Sequence, residues 1–457
     1  MHRLRLDSSA NHTPTYAARS FSHPIPKFAL AERGLDPMVA YQLVRDELNL
    51  DGNPVLNLAS FVTTWMDPTA DLLAQETLNK NLIDQDEYPQ TEEVHERIVT
   101  MIGRLFNAPA NRDPVGTATI GSSEAIMLGM LAHKRAWQRR REQAGEPTDR
   151  PNMVIGADVH TCWEKFARYF EVEPRVAPMT EDSYTLSAAD VAERVDECTI
   201  AVGGVLCTTF TGGVDELAEI NDLLVSLESD KGWHVPMHVD AATGGFIAPF
   251  SEPDFAWDFR LSQVRSINVS NHKFGLVYPG LGTVVFRDRS DLPEELVFHI
   301  NYLGGDMPNY SLNFSRPSNT VILQYYNFLR MGMEGYRGIV SGVLENASWI
   351  GEHLGANEHL QVINDASRFP VVCVRASDPE RLDLATVSEK LRGRGWIVPA
   401  YTLPADAQHV QVLRMVIKEN FSRDMGDRLV GDIGNAINSI LGSGGAPRGR
   451  QRHRAIC

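Results

Sequence analysis

Three short segments carry residue types suited to a single reaction centre. Lys273 closes Ser270-Asn-His-Lys273 at the end of an apolar run. An amine held at a strand end can lose its proton and condense with an aldehyde. His238-Val-Asp240 ends an earlier apolar run. A carboxylate there can pair with a protonated ring nitrogen and make a heterocycle a better electron sink. Gly121-Ser122-Ser123-Glu-Ala precedes an apolar-periodic helix. Free amides, a helix dipole and two hydroxyls make a phosphate seat. Read alone, each has a plainer meaning: a surface lysine in a turn, an N-cap aspartate, a capping motif. Together, a phosphate seat, an acid for a ring nitrogen and an aldehyde-capturing lysine describe pyridoxal 5′-phosphate.

These segments need strand ends to hold them, and the pattern from about 117 to 290 supplies candidates. Short apolar runs (Met153–Gly156, Thr199–Leu206, Val235–Asp240, Ser266–Ser270, Gly282–Phe286) alternate with helical stretches at 123–140, 160–170, 187–196 and 214–229. That alternation predicts an α/β fold with a mostly parallel sheet covered on both faces. Ligands then collect outside the carboxyl strand ends. Helical spacing is also present at 37–49, 70–83, 91–106 and 320–355. Val371–Arg375, a helix near 384–394 and Val410–Ile417 predict a smaller α+β unit. The domains expected are an N-terminal arm and helix (1–55), a large domain (56–345), a small C-terminal domain (346–441) and a flexible basic tail (442–457).

Composition narrows the partners. The 457 residues hold 43 Lys+Arg against 59 Asp+Glu, a net charge of -16. Such a surface repels phosphate backbones and anionic lipid, which argues against nucleic acid or a membrane. Cys162, Cys198, Cys207, Cys373 and Cys457 are scattered, without metal-ligand spacing. Reduced thiols in a cytoplasm, with no metal, are the simple reading. No apolar run is long enough to span a bilayer, and no secretory h-region follows the start.

Several longer motifs resemble the glutamate decarboxylases, bacterial and plant, of the fold-type-I superfamily. They are Thr119-Ile-Gly-Ser-Ser-Glu-Ala, Cys162-Trp-Glu-Lys-Phe-Ala-Arg-Tyr, His238-Val-Asp-Ala-Ala-Thr-Gly-Gly-Phe and Asn271-His-Lys-Phe-Gly-Leu. Leu56–Phe61, Asn79–Pro89, Leu303-Gly-Gly and Asn313-Phe-Ser-Arg-Pro join them. The likeness runs from about residue 36 to 440. It implies a fold-type-I transferase architecture: a seven-stranded, mostly parallel sheet, a small C-terminal domain and an N-terminal helical arm. The activity implied is decarboxylation of L-glutamate to 4-aminobutanoate and CO2, with one proton consumed.

The resemblance also implies roles. Lys273 carries the cofactor's aldehyde and Asp240 faces the ring nitrogen. Ser122, Ser123, Ser270 and His272 hold the phosphate, and Thr209 lies near the ring. His238, two residues before Asp240 on an alternating strand, faces the same side and orients it. His160 stacks on the ring where bacterial and plant relatives usually carry glutamine. Asn271 stands where glycine is common, and asparagine tolerates a left-handed backbone. Ser60, Phe61, Asn81 and Asp84 match the segment that binds glutamate's distal carboxylate. That set lacks an arginine and contains an acid, which suits acid conditions because close carboxylates share a proton. Residues 56–84 are expected to reach a neighbour's cofactor. Arg414 corresponds to an arginine near the α-carboxylate, and Tyr302, on a glycine-hinged lid, to a donor for the substrate carbon.

Rival readings are an aminotransferase or lyase on the same fold, a decarboxylase of another amino acid (suggested by His160), and a non-catalytic binding protein. Relatives assemble as homodimers or homohexamers, so one of these is expected. The tail has four arginines between 448 and 454 but no Trp and no apolar helical face, so calmodulin binding is not expected. His453 is a candidate plug for the site at high pH.

Overall fold

The apolar runs between residues 115 and 290 pair into one seven-stranded sheet. Its strands are β1 (Val115–Thr119), β2 (Asn152–Gly156), β3 (Glu173–Ala177), β4 (Thr199–Val205), β5 (Met237–Asp240), β6 (Val264–Val269) and β7 (Gly282–Phe286). They lie in the order β1-β7-β6-β5-β4-β2-β3. The neighbours from β3 to β6 pair in parallel; β7 is antiparallel to β6 and β1. The expected mostly parallel, seven-stranded α/β architecture is therefore present. This computed structural model describes residues 27–112, 114–181, 183–301 and 307–442. The chain divides after Leu56 into two compact units.

Both sheet faces are apolar because both are covered. Val154, Val202, Val239, Ile267 and Val285 share a core with Ile102 of helix Pro89–Leu105 and with Leu217, Ile220 and Leu224 of helix Leu217–Lys231. On the alternate positions, Met153, Ile155 and Ala201 meet Ile126, Met130 and Trp137 of helix Ser122–Ala144. Trp163 and Phe166 of helix Cys162–Tyr169 complete that side. Strands β1 and β3 escape the apolar-run signal. Strand β3, at the sheet's edge, carries Glu173, Pro174 and Arg175, residues that blunt an exposed edge.

A hairpin of β8 (Phe298–Ile300) and β9 (Met307–Asn309) follows. Tyr302 and the Leu303-Gly-Gly segment lie outside the described residues, as do residues 1–26 and the tail from 443, with His453. A second sheet holds β10 (Leu360–Val362), β11 (Val371–Ala376), β12 (Ala400–Thr402) and β13 (Gln411–Val416), antiparallel in the order β10-β11-β13-β12. Helix Leu384–Arg392 packs against it, and helix Arg423–Gly442 packs on that helix. Asp383 caps the first by accepting from Ala385 N and Thr386 N.

Segment 57–63 laces this second sheet to the lysine loop. Leu58 donates to Ile397 O at 2.9 Å and accepts from Val416 N at 2.9 Å. Thr63 N donates to His272 O at 2.8 Å. The helix expected over 70–83 covers only Pro68–Glu76. Thr77 turns its hydroxyl back onto Leu73 O at 2.7 Å, and the chain beyond leaves to meet residues 316–317. Such side-chain bonding to the backbone competes with helix continuation.

The first unit is described from residue 27. Its helix Pro37–Leu48 starts at the Asp36 cap with proline in the first turn, and none of its residues is buried. Among the described residues no helix is long and apolar enough to cross a membrane.

The long helix expected over 320–355 is Asn319–Gly355, broken at Gly332 (φ 55°, ψ -166°). That conformation is nearly exclusive to glycine. A Cβ at Gly332 would meet nothing within 4 Å, so a side chain there is opposed by backbone strain and not by crowding. Gly332→Ala is expected to destabilise the protein by about 1–3 kcal/mol, read as a lower urea midpoint. An unchanged midpoint would mean the break is not held by its surroundings.

Candidate active site

The carboxyl ends of β2, β4, β5 and β6 border a cavity of about 420 Å3. Asp240, Lys273, His160 and Thr209 line it, and so do Ser122, Ser123, Ser270 and His272. The two parallel strands β5 and β6 stand in register, Asp240 opposite Asn268 and His238 opposite Ser266.

Asp240 is 5% exposed. Its Oδ1 accepts from Asn268 Nδ2 at 2.9 Å and from Ala242 N at 3.1 Å; its Oδ2 accepts from Trp163 Nε1 at 3.2 Å. Three donors keep a buried carboxylate solvated by protein. Lys273 Nζ donates to Thr243 Oγ1 at 3.1 Å and lies 4.9 Å from the centre of the Phe61 ring. Burial holds the Lys273 amine below its ordinary pKa, and Asp240 pulls partly the other way.

The phosphate seat is built as its residues suggest. No side chain caps the N-terminus of helix Ser122–Ala144. Ser122 Oγ meets Ser270 Oγ at 2.7 Å. His272 Nδ1 accepts from Leu281 N at 3.2 Å, which leaves the proton of the neutral ring on Nε2. Desolvation, then Lys273, push His272 down to about 4, so the ring is neutral above that pH. His160 is exposed to the cavity, yet desolvation still lowers its pKa; its Nδ1 accepts from Cys162 N at 3.3 Å. Uncapped amides, hydroxyls, a buried carboxylate and an amine share one cavity. This donor set fits a phosphorylated pyridine aldehyde.

Other expected residues sit elsewhere. His238 is fully buried and does not line the cavity; its Nε2 reaches Asn268 Oδ1 at 2.8 Å. It touches Asp240's partner, not a ligand's space. Arg414 is 6% exposed and bonds Thr209 O and, at 2.5 Å, Ala59 O. Its Nε has no partner, and its guanidinium lies 4.8 Å from the Phe61 ring centre. Phe61 thus stands beside this chain's own lysine, so segment 56–84 does not turn away as one piece. Ser60 Oγ accepts from Val62 N at 3.2 Å. Asn81 and Asp84 are not among the cavity residues; Asn81 Oδ1 accepts from Arg316 N at 3.0 Å.

Asn271 has no positive φ. Its side chain donates to Gln324 Oε1 at 3.0 Å and accepts from Thr283 Oγ1 at 2.8 Å. It sits in the turn closed by Lys273 N donating to Ser270 O at 3.0 Å, without a left-handed backbone, and its side chain is a buried tie between the lysine loop and helix Asn319–Gly355.

Sequence reasoning missed Thr63, Thr243, Asn268 and Asp158. The first three touch Lys273 or Asp240. Asn268 was findable, two residues from Ser270 on a strand beside Asp240. Asp158 lines the cavity at 1% exposure with neither carboxyl oxygen hydrogen-bonded. Burial pushes Asp158 up to about 6. Its neighbour Asp215, which accepts from Leu186 N and Val205 N, is raised as well by burial and by Asp158's charge. The pair holds a proton that an exposed pair would release. Burial pushes the Cys162 and Cys207 thiols up to about 12.

Comparison with known proteins agrees with this geometry. A family profile described as "Pyridoxal-dependent decarboxylase conserved domain" matches residues 31–377. The chain is 50% identical over 438 residues to glutamate decarboxylase 5 of Arabidopsis thaliana, covering 95% of this chain and 89% of that one. It is 42% identical to glutamate decarboxylase beta of Listeria innocua, covering 93% of each. A solved glutamate decarboxylase from Lactobacillus brevis superposes with a TM-score of 0.90 at 41% identity, over 93% of this chain and 97% of that one. A Burkholderia pseudomallei sphingosine-1-phosphate lyase, 22% identical with a TM-score of 0.76 over 94% and 96%, shares the fold.

A carboxyl whose pKa is raised on folding favours the folded state while protonated. Stability is therefore lost as pH rises from near 4 through about 6. Asp158→Asn is expected to lose less thermal stability than the wild type between pH 4.5 and 7. Parallel melting-temperature profiles would show that the carboxyl ionises freely.

Proposed function

The chain belongs to the pyridoxal-dependent decarboxylase family, and from that premise we infer that it splits the α-carboxylate from L-glutamate, yielding CO2 and 4-aminobutanoate. The observation that carries this reading is the placement of Lys273 and Asp240 on one cavity, the amine depressed by burial and the carboxylate held by three donors.

Pyridoxal 5′-phosphate, when bound, supplies an aldehyde that condenses with amines and a pyridinium ring that draws electrons from a breaking bond. Every other task falls to the chain. Lys273 would supply the amine that anchors the cofactor through its aldehyde. Its depressed pKa keeps more of it neutral and nucleophilic. Asp240 keeps a proton on the ring nitrogen through its negative charge. Ser122, Ser123, Ser270 and the Nε2–H of His272 grip the phosphate at an uncapped helix end. His160, open to the cavity, and Thr209, also on its wall, would complete the hold on the ring.

Arg414 is the cation for the α-carboxylate. Its guanidinium is fixed by two backbone carbonyls and its buried Nε awaits an acceptor. That grip would orient the carboxylate to be lost. Ser60 and Phe61 border the substrate's side chain. Asn81 and Asp84 serve the distal carboxylate of a second copy's substrate, a reading supported by their not lining this cavity. Tyr302 delivers the proton to Cα. The balance is simple: a C–C bond breaks, a C–H bond forms, and one proton is taken up for each CO2 released.

Assembly as a homodimer or homohexamer follows from the shared substrate site, and the unburied helix Pro37–Leu48 is consistent with it. A cytoplasmic setting suits the free thiols of Cys162, Cys198, Cys207 and Cys373. Calmodulin is not a proposed partner.

Lys273→Ala is expected to lose the visible absorbance band of the bound cofactor and all turnover of glutamate to CO2. Asp240→Ala is expected to keep a visible band while kcat falls at least about a thousandfold, as for loss of a main electrostatic stabiliser. CO2 release by the lysine variant, or stoichiometric exchange with a keto acid in place of CO2 release by the wild type, would overturn the assignment.

A further inference from the structure

Behind Asp240, away from the cavity, four polar side chains stand in line inside an otherwise apolar layer. Asn268 Nδ2 is 2.9 Å from Asp240 Oδ1; Asn268 Oδ1 is 2.8 Å from His238 Nε2. His238 Nδ1 is 2.6 Å from Ser266 Oγ, and Ser266 Oγ is 2.7 Å from His133 Nε2. His133, Ser266, His238 and Asn268 are each 3% exposed or less. The sheet register produces the line, since β5 contributes His238 and Asp240 at alternate positions beside Ser266 and Asn268 of β6. Helix Ser122–Ala144 adds His133. Its Gly129 makes room, because a Cβ there would lie 2.6 Å from His238 Cε1.

The direction of every bond in this line follows from its end. An ionised carboxylate only accepts, so Asn268 turns its amide N–H toward Asp240 and its carbonyl toward His238. That carbonyl needs a donor, so the proton of His238 is on Nε2. Burial pushes His238 down to about 4 and the ring is neutral above that, which makes Nδ1 an acceptor. Ser266 must then give its hydroxyl proton to Nδ1 and receive one from His133 Nε2. Each assignment excludes the alternative at the next residue.

We propose that His133, Ser266, His238 and Asn268 are positioning residues: a one-way hydrogen-bond chain that holds Asp240 as an acceptor and so keeps the cofactor's ring nitrogen protonated. The proposal rests on the reading of Asp240 as the ring-nitrogen partner. Its mechanism is tautomer control. Without the Ser266 hydroxyl, His238 is free to move its proton to Nδ1. Asn268, its carbonyl left without a donor, then holds its amide on Asp240 less firmly. The carboxylate, with one donor weakened, becomes more basic and draws the proton off the ring nitrogen.

The test uses holoenzyme loaded with cofactor labelled with 15N in the ring, followed by NMR from pH 5 to 8, beside steady-state kinetics. Wild type is expected to show a protonated ring nitrogen throughout. Ser266→Ala is expected to shift the signal toward neutral pyridine and to lower kcat about tenfold, with KM changed less than twofold. His133→Leu, which cuts the chain at its far end, is expected to shift the signal the same way by less. An unmoved 15N signal in both variants, whatever their activity, would overturn the proposal and leave these residues as packing. Failure of the Asp240 reading itself would look different, since the wild-type ring nitrogen would already be unprotonated.

Discussion

A negative charge buried at the end of a parallel strand is the constraint on which this structure turns. Taking a carboxylate out of water costs several kcal/mol unless protein donors replace the lost solvent. Asp240 obtains them from three places: the indole of Trp163, the amide of Asn268 and the backbone of Ala242. Those donors arrive from the start of helix Cys162–Tyr169, from the adjacent strand β6 and from the turn after β5. Ala242 N, two residues on, is a local donor, but Asn268 and Trp163 come from distant segments, and Asn268 faces Asp240 only through the parallel register of β5 and β6. The sheet topology and the charge therefore require each other.

A second constraint is the pairing of two cationic side chains in one place. Lys273 Nζ and the Arg414 guanidinium lie 4.9 and 4.8 Å from the centre of the same Phe61 ring. An aromatic face attracts cations by its quadrupole, without adding a second anion that would hold the lysine protonated. The segment bearing Phe61 is in turn bonded to β13 and to the lysine loop. Thr63 Oγ1 donates to Lys273 O at 2.5 Å, closing the link. Because the second sheet holds Arg414 and the first holds Lys273, segment 57–63 fixes the spacing between the two.

What was readable from residues alone follows from range. Lys273, Asp240 and the serines at 122–123 each end a regular element, and periodicity locates such ends. The order of strands, and hence which side chains meet, depends on pairing between distant segments, and nothing local encodes it. So His238 was placed on the correct side of β5, but its route to Asp240 through Asn268 lies on another strand. Asn271 was read from its backbone tolerance, whereas two buried partners far along the chain account for it. Residues 77–83 have helical spacing, yet the Thr77 hydroxyl and pairing with residues 316–317 override it. Edge strand β3 carried charge in place of an apolar run, and only its place in the sheet explains that.

The titrating groups around the cavity oppose one another. Imidazoles whose pKa is lowered on folding stabilise the protein above the ordinary histidine value and lose that contribution as pH falls. For His238 and His272 the loss runs from about 6.5 down through about 4. The Asp158–Asp215 pair has the reverse sign: its raised pKa values add stability as pH falls through the same interval. The imidazoles take up protons more readily when unfolded, and the carboxyl pair more readily when folded. Between about pH 4 and 6 the two slopes partly cancel, and His238 and His272 are mostly neutral until the pH nears 4.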